Sequence, residues 1–161
     1  MNVKFQGNPV TLEGNHVKVG DIAPDFIVID NGLSPVSSKD LKGKRVYVSV
    51  PSIDTAVCDT EVRRFNEAAA SLADVKIYTI SMDLPFAQAR WCGSAGIADV
   101  QTLSDFKDKE FGKAYGTYIK ELGLLARAVF VVDENNQVTY VEYCEEITQE
   151  PDYDEVLKAL K

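Results

Sequence analysis

One histidine and three cysteines are all that this 161-residue chain offers by way of soft metal ligands. Scattered as they are, they do not make a zinc site, which draws three or four ligands together from short, repeated spacings. Three cysteines are also an odd number and too few for a disulfide scaffold. They suit a reducing compartment in which any disulfide is transient. Basic residues are in the minority, 17 Lys and Arg against 25 Asp and Glu, for a formal net charge of −8. A nucleic-acid surface needs a clustered basic patch, and the longest candidate, Lys42-Gly43-Lys44-Arg45, reads as a solvated turn. No apolar run approaches the roughly 18 residues of a membrane span. The opening Met-Asn-Val-Lys-Phe-Gln-Gly lacks the apolar h-region of a signal peptide, so a cytoplasmic protein with no membrane association is expected. Internal repeats, low-complexity tracts and linkers are missing too. A single domain over residues 1–161 is therefore expected, a length ample for a real hydrophobic core.

What the chain does have is a dense pattern from Val46 to Leu72. Val-Tyr-Val-Ser-Val is β-branched and aromatic and reads as a buried strand over 46–50. Pro51 has no N–H for a ladder and should end it. Further on, Val62, Phe65, Ala69 and Leu72 fall at three- and four-residue steps. That apolar stripe predicts a helix with Arg63, Arg64 and Glu67 facing water. Cys58 then lies where a strand hands over to a helix N-terminus. Unpaired backbone N–H groups and the positive end of the helix dipole point at such a place. Both favour the thiolate, which is the nucleophilic form of the side chain. The bland alternative is a small buried core residue, the usual fate of cysteine.

Pro51-Ser52-Ile53-Asp54-Thr55-Ala56-Val57-Cys58 fits a Pro-x-x-x-Thr/Ser-x-x-Cys signature, and through it the chain resembles the peroxiredoxins. The fuller resemblance is to the bacterial thiol peroxidase subfamily of atypical two-cysteine peroxiredoxins. It is carried as well by Val19-Gly20-Asp21-Ile22-Ala23-Pro24-Asp25-Phe26, by Asp83-Leu84-Pro85-Phe86-Ala87-Gln88-Ala89-Arg90-Trp91-Cys92, by Ala126-Arg127-Ala128-Val129 and by Glu150-Pro151-Asp152-Tyr153. Five blocks in family order cover nearly the whole chain.

The remaining pattern agrees with that resemblance. Val3 and Phe5, then Val10 and Leu12, alternate with polar residues around Gly7-Asn8-Pro9 and read as a β-hairpin within an N-terminal extension over 1–19. Phe26–Ile29 reads as a short strand and Ser37–Leu41 as one serine-capped helical turn. Val75–Ile80 is a second buried strand, which closes a strand–helix–strand unit. Asp83-Leu84-Pro85 opens a short helix expected to stop near Gly93. A strand at Val100–Leu103 and a helix at Asp108–Tyr115 follow. A hairpin then joins Ala128–Val132 to Val138–Tyr143, and a final helix spans Pro151–Leu160. Strands alternating with helices in this way fit a thioredoxin-like α/β fold, a central mixed sheet flanked by helices, with an N-terminal β-hairpin.

The resemblance implies roles for particular residues. Cys58 is the peroxidatic cysteine, whose thiolate attacks a peroxide to give a sulfenic acid. Cys92 is the resolving cysteine, forming a redox-active Cys58–Cys92 disulfide within one chain. Thr55, one helical turn before Cys58, either reaches the sulfur and the peroxide with its hydroxyl or caps the helix. Pro51 either shields the thiolate or merely ends the strand. Arg127 opens the Ala-Val-Phe-Val-Val strand, where an unpaired buried charge would be costly. It serves the thiolate and the peroxide oxygens, or else forms a surface ion pair. Asp59 and Glu61 are anions close to Cys58 and work against a thiolate. Cysteines on two packed helices should stand too far apart to bond, so both helix ends are expected to unwind during turnover. The resemblance also implies hydrogen peroxide and alkyl hydroperoxides as substrates, thioredoxin as reductant, a homodimer, and no cofactor or metal. Cys144, among acidic neighbours, has no role. Asp133–Asn136 reads as a hairpin turn rather than a calcium loop, and Gly93-Ser94-Ala95-Gly96 as a helix stop rather than a phosphate cradle. Two other readings compete: a dithiol oxidoreductase, which the absence of any Cys-x-x-Cys disfavours, and a redox-sensing or binding module of the same fold.

Overall fold

The computed structural model describes every residue except Ala73, Ile97 and Ala98, and all but the side chain of Ala69. That member of the expected stripe therefore lies outside the described residues. The chain runs through β1 (Val3–Phe5), β2 (Asn8–Val10), β3 (Leu12–Glu13), β4 (Ile27–Ile29), β5 (Pro35–Ser37), a single 3-10 turn (Ser38–Asp40) and β6 (Arg45–Ser49). It continues through α1 (Ala56–Ser71), β7 (Lys76–Ser81), α2 (Pro85–Ala95), β8 (Val100–Ser104) and α3 (Glu110–Ala114). The last part comprises β9 (Tyr118–Ile119), β10 (Leu124–Leu125), β11 (Ala128–Val132), β12 (Val138–Tyr143) and α4 (Tyr153–Leu160).

A seven-stranded sheet with the order β12-β11-β6-β7-β8-β4-β5 forms the centre. Strands β6, β7 and β8 are mutually parallel, joined through α1 and α2, while β11 pairs antiparallel with β6. Parallel neighbours of this kind require helical crossovers, and the helices cover the sheet. Strand β6 is consequently buried on both faces. Val46, Val48 and Val50 meet Val62 and Phe65 of α1 and Val156 and Leu160 of α4. Tyr47 turns to the opposite core with Phe26, Phe111, Tyr115 and Phe130. There Phe111 and Tyr115 stack with ring centroids 4.6 Å apart, so the expected pair on one face of α3 is a packed unit. Full burial of side chains this size contributes about 1.5–3 kcal/mol each.

The hairpin β1–β2 forms over Val3–Val10, while Leu12, expected within it, lies in β3 opposite Ile119; the serine-capped turn matches expectation, with Ser37 Oγ accepting the Lys39 N–H. Helix α2 runs past Gly93 and stops at Gly96, which adopts the left-handed conformation (φ 67°) that a C-terminal cap requires. Gly93 lacks a positive φ and remains helical. Strands β3, β9 and β10 form a small sheet of their own that no sequence pattern announced, because two residues are too few to show a period.

The hairpin is fastened to the segment after β12. Lys4 N–H donates to the Glu145 carbonyl and Ile147 N–H to the Lys4 carbonyl. The Glu146 carboxylate accepts N–H bonds from Thr148, Gly7 and Gln6, which hold it down at about 2. That segment includes Ile147, whose carbonyl becomes a partner of Arg127.

Candidate active site

Thr55 opens α1. Its carbonyl accepts the Asp59 N–H at 2.9 Å, its Oγ1 accepts the Cys58 N–H at 3.3 Å, and its hydroxyl donates to the Ser52 carbonyl at 3.2 Å. The side chain thus caps the helix and is bonded to the backbone of Cys58 rather than to its sulfur, while remaining exposed at the surface. Pro51 is buried just beyond the end of β6. The loop between them is held by Asp83, which accepts from Ser52 Oγ at 2.7 Å, from Ile53 N at 2.9 Å and from Ser81 Oγ at 2.7 Å. Cys58 itself is wholly buried in the first turn of α1.

Arg127 is the cation beside that sulfur. Its Nη2 donates to Cys58 Sγ at 3.1 Å, its Nη1 to Glu61 Oε2 at 2.5 Å and its Nε to the Ile147 carbonyl at 2.7 Å. It is 2 % exposed and Glu61 is 0 % exposed, so this is a buried ion pair and not a surface one. Its position follows from register, for Ala128 at the start of β11 pairs with Ser49 at the end of β6, beside the loop that leads to Cys58. Burial opposes the charge on Arg127, but Glu61 and Cys58 more than offset it and raise the guanidinium pKa. Burial likewise pushes the Glu61 carboxyl up to about 7, against the pull of Arg127.

Asp105 shows the same displacement for a different reason of place. Buried beneath α3, it is raised to about 6 by desolvation even though the Gly112 and Phe111 N–H groups bond to it. In both acids the folded pKa exceeds the ordinary values of 4.5 and 3.8, so the folded chain holds the protons more tightly than the unfolded one. Their contribution to stability is complete below those ordinary values and is lost as pH rises through about 6 and then about 7. Stability measured by urea unfolding should therefore fall as pH rises from 5 to 8, by a change on the order of 4 kcal/mol. Asp105→Asn should flatten the lower part of that fall; an unchanged slope in this variant would contradict the assignment.

Cys92 lies on α2 with different partners. Its Sγ is 3.4 Å from Thr102 Oγ1, which also lies 3.0 Å from Asn31 Oδ1. The Thr102 hydroxyl has a single hydrogen. When it donates to Asn31, its oxygen is free to accept from the Cys92 S–H. Cys92 also lines an open cavity of about 420 Å³ with Asn31, Lys76, Tyr78, Asp99 and Gln101. All three cysteines are free thiols, and the structure does not bring the Cys58 and Cys92 sulfurs to a common partner. Cys144 is buried, and desolvation with Glu142 and Glu61 nearby pushes its thiol up to about 12. It stays protonated at neutral pH, as expected for a thiol without a role. Among the described residues no helix is long and apolar enough to cross a membrane.

A buried thiol at a helix N-terminus, capped by threonine and touched by a guanidinium, can now be set beside known proteins. Residues 18–157 match the redoxin family. The thiol peroxidase of Clostridium acetobutylicum is 60 % identical over 159 residues, 99 % of this chain and 97 % of that protein. The thiol peroxidase of Bacillus subtilis is also 60 % identical, over 160 residues, 99 % of this chain and 96 % of that protein. The chain belongs to the redoxin family, among the thiol peroxidases. A solved structure, the peroxiredoxin-like protein of Aquifex aeolicus, superposes with a TM-score of 0.90 at 42 % identity, covering 99 % of this chain and 95 % of the other. The redoxin fold thus agrees with the thioredoxin-like α/β architecture expected from the sequence. Two residues of this redoxin site escaped sequence reading. Glu61 was legible only as an anion opposed to the thiolate, yet it sits three residues after Cys58 on the same helical face and is buried with it as the partner of Arg127. Asp83 was legible as the opening of α2, while its carboxylate anchors the Ser52–Ile53 loop. An acidic residue two positions past a buried strand was the available signal.

Proposed function

We propose that the chain carries out its thiol-dependent peroxide reduction with Cys58 as peroxidatic and Cys92 as resolving cysteine. The contact of Arg127 Nη2 with Cys58 Sγ at 3.1 Å carries the reading. A permanent cation donating to the sulfur can stabilise the negative charge that moves from it to the departing oxygen during attack. The Cys58 thiolate attacks one peroxide oxygen; the S–O bond forms as the O–O bond breaks. The departing oxygen takes up a proton and leaves as water or an alcohol. Thr55 fixes the helix start and presents its hydroxyl side at the exposed rim, and Pro51 shields the sulfur from the strand side. Cys92 then attacks the sulfenic sulfur, and thioredoxin reduces the resulting disulfide. Hydrogen peroxide and alkyl hydroperoxides are the substrates we assign. The 161 residues act as one domain, with 1–19 as its hairpin extension, in the cytoplasm. The exposed Leu84 and Phe86 at the start of α2 give a second copy apolar surface to cover, in keeping with a homodimer.

Counting free thiols before and after one equivalent of hydrogen peroxide tests the pairing. Two of the three thiols should vanish with no covalent dimer on a non-reducing gel, and thioredoxin should restore them. Loss of a single thiol, or a disulfide-linked dimer, would contradict it.

A further inference from the structure

The residue that follows Cys58 and the residue that precedes Cys92 are bonded to each other. Trp91 Nε1–H donates to Asp59 Oδ1 at 3.0 Å. Arg63 braces the pair, its Nε 3.1 Å from Asp59 Oδ2 and its guanidinium 5.8 Å from the centre of the Trp91 ring. The ring packs against the core cluster that contains Cys58, Val62 and Phe65. We propose that the Asp59–Trp91 hydrogen bond is a latch that holds α1 and α2 closed and sets the rate at which Cys92 reaches oxidised Cys58. This rests on the assignment of Cys58 and Cys92 as a resolving pair.

Disulfide formation makes particular demands on this structure. The Cα atoms must come within about 7 Å of each other. Cys58 must leave Arg127, and Cys92 must leave Thr102. The first turn of α1 and the C-terminal half of α2 both have to open, and Asp59–Trp91 is the side-chain bond that joins the flank of one cysteine to the flank of the other. The other tethers lie away from the cysteine flanks and leave them free to part: Asp83 holds the Ser52–Ile53 loop before α1, and the Asp99 N–H sits on Asn66 Oδ1 at 2.8 Å a further two turns along α1. Releasing the indole from the carboxylate therefore loosens both ends together. In the step itself, the Cys92 sulfur bonds to the Cys58 sulfur and the S–O bond breaks. The oxygen departs with the Cys92 proton and its own as water. The Cys58 sulfur is reduced from sulfenic acid to disulfide as the Cys92 sulfur is oxidised to it. Peroxide attack on Cys58 precedes this opening and does not involve it. Trp91 is thus a positioning residue for the second step, and so is Asp59 through it, although the Asp59 charge beside Cys58 also bears on the first. While the latch is closed, the sulfenic acid is exposed to a second peroxide and to conversion into sulfinic acid.

Trp91→Phe keeps an aromatic ring on the core and removes the donor. In rapid-quench mass spectrometry after addition of hydrogen peroxide, it should form the Cys58–Cys92 disulfide about five- to tenfold faster than the native chain, the net weight of one partly solvent-exposed hydrogen bond. The rate of sulfenic acid formation should not change, and the sulfinic fraction at a given peroxide dose should fall by the same factor. Asp59→Asn leaves the packing intact and keeps an acceptor without its charge; it should move the disulfide step in the same direction by less. It also carries the test should Trp91→Phe fail to fold. The double variant should be no faster than Trp91→Phe alone, because both changes remove one contact. A disulfide formed at the native rate or slower in the folded variants overturns the latch while leaving the resolving pair intact. A native chain that forms no Cys58–Cys92 disulfide overturns the pair, and the latch with it.

Discussion

Replacing Arg127 by methionine should lower the rate of peroxide reduction by roughly a hundredfold or more, the scale seen when a preorganised donor to developing charge is removed. The same change should destabilise the fold by about 3–5 kcal/mol, because it leaves Glu61 buried without a counter-charge. These two losses have separate origins and can be separated. Adding Glu61→Gln to Arg127→Met removes the stranded carboxylate, so the double variant should recover much of the stability. It should recover none of the rate, since Cys58 Sγ still lacks its donor. Urea midpoints and stopped-flow peroxide consumption measure the two quantities on the same samples. A double variant that regains both would mean that Arg127 serves the fold and not the sulfur.

The contrast between Arg127 and Glu61 shows how far the sequence could be read. Arg127 was legible because a guanidinium at the head of an all-apolar strand demands a partner, and because the resemblance supplied one in Cys58. Glu61 was not, because a carboxylate in the first turns of a helix is ordinary and its burial depends on what packs above it. The strand over 46–50 was evident from its β-branched and aromatic run, and so was the helix that follows, from its stripe. Arg45 joins that strand as a buried member, bonded through Nε to Tyr47 Oη and through Nη1 to the Gly43 carbonyl, which local composition could not announce in a Lys- and Arg-rich turn. The small sheet of β3, β9 and β10 is a product of tertiary contact between distant segments, with Leu12 opposite Ile119, and leaves no local period. Thr55 illustrates a role that sequence left open: both of its readings depend on a hydroxyl at the helix start, and the closed structure spends that hydroxyl on the Cys58 N–H and the Ser52 carbonyl.

Cys58→Ser is the change with the largest expected effect. Serine replaces the sulfur with an oxygen of nearly the same reach, so the first turn of α1, its Thr55 cap and the Arg127–Glu61 pair can all persist. What is lost is the polarisable, readily ionised nucleophile: a hydroxyl is not deprotonated at neutral pH and does not form the sulfenic acid that the resolving step consumes. The other two thiols cannot substitute. Cys144 is held protonated by burial, and Cys92 lies beside Thr102 with no guanidinium hydrogen-bonded to its sulfur among the described residues. The decisive measurement is peroxide consumption by the Cys58→Ser chain in the presence of thioredoxin, with its urea midpoint recorded to show that it is folded. Consumption should fall by roughly a thousandfold or more, to the background of thioredoxin alone. A folded serine variant that still consumes peroxide at the native rate would contradict the assignment of the attack to Cys58.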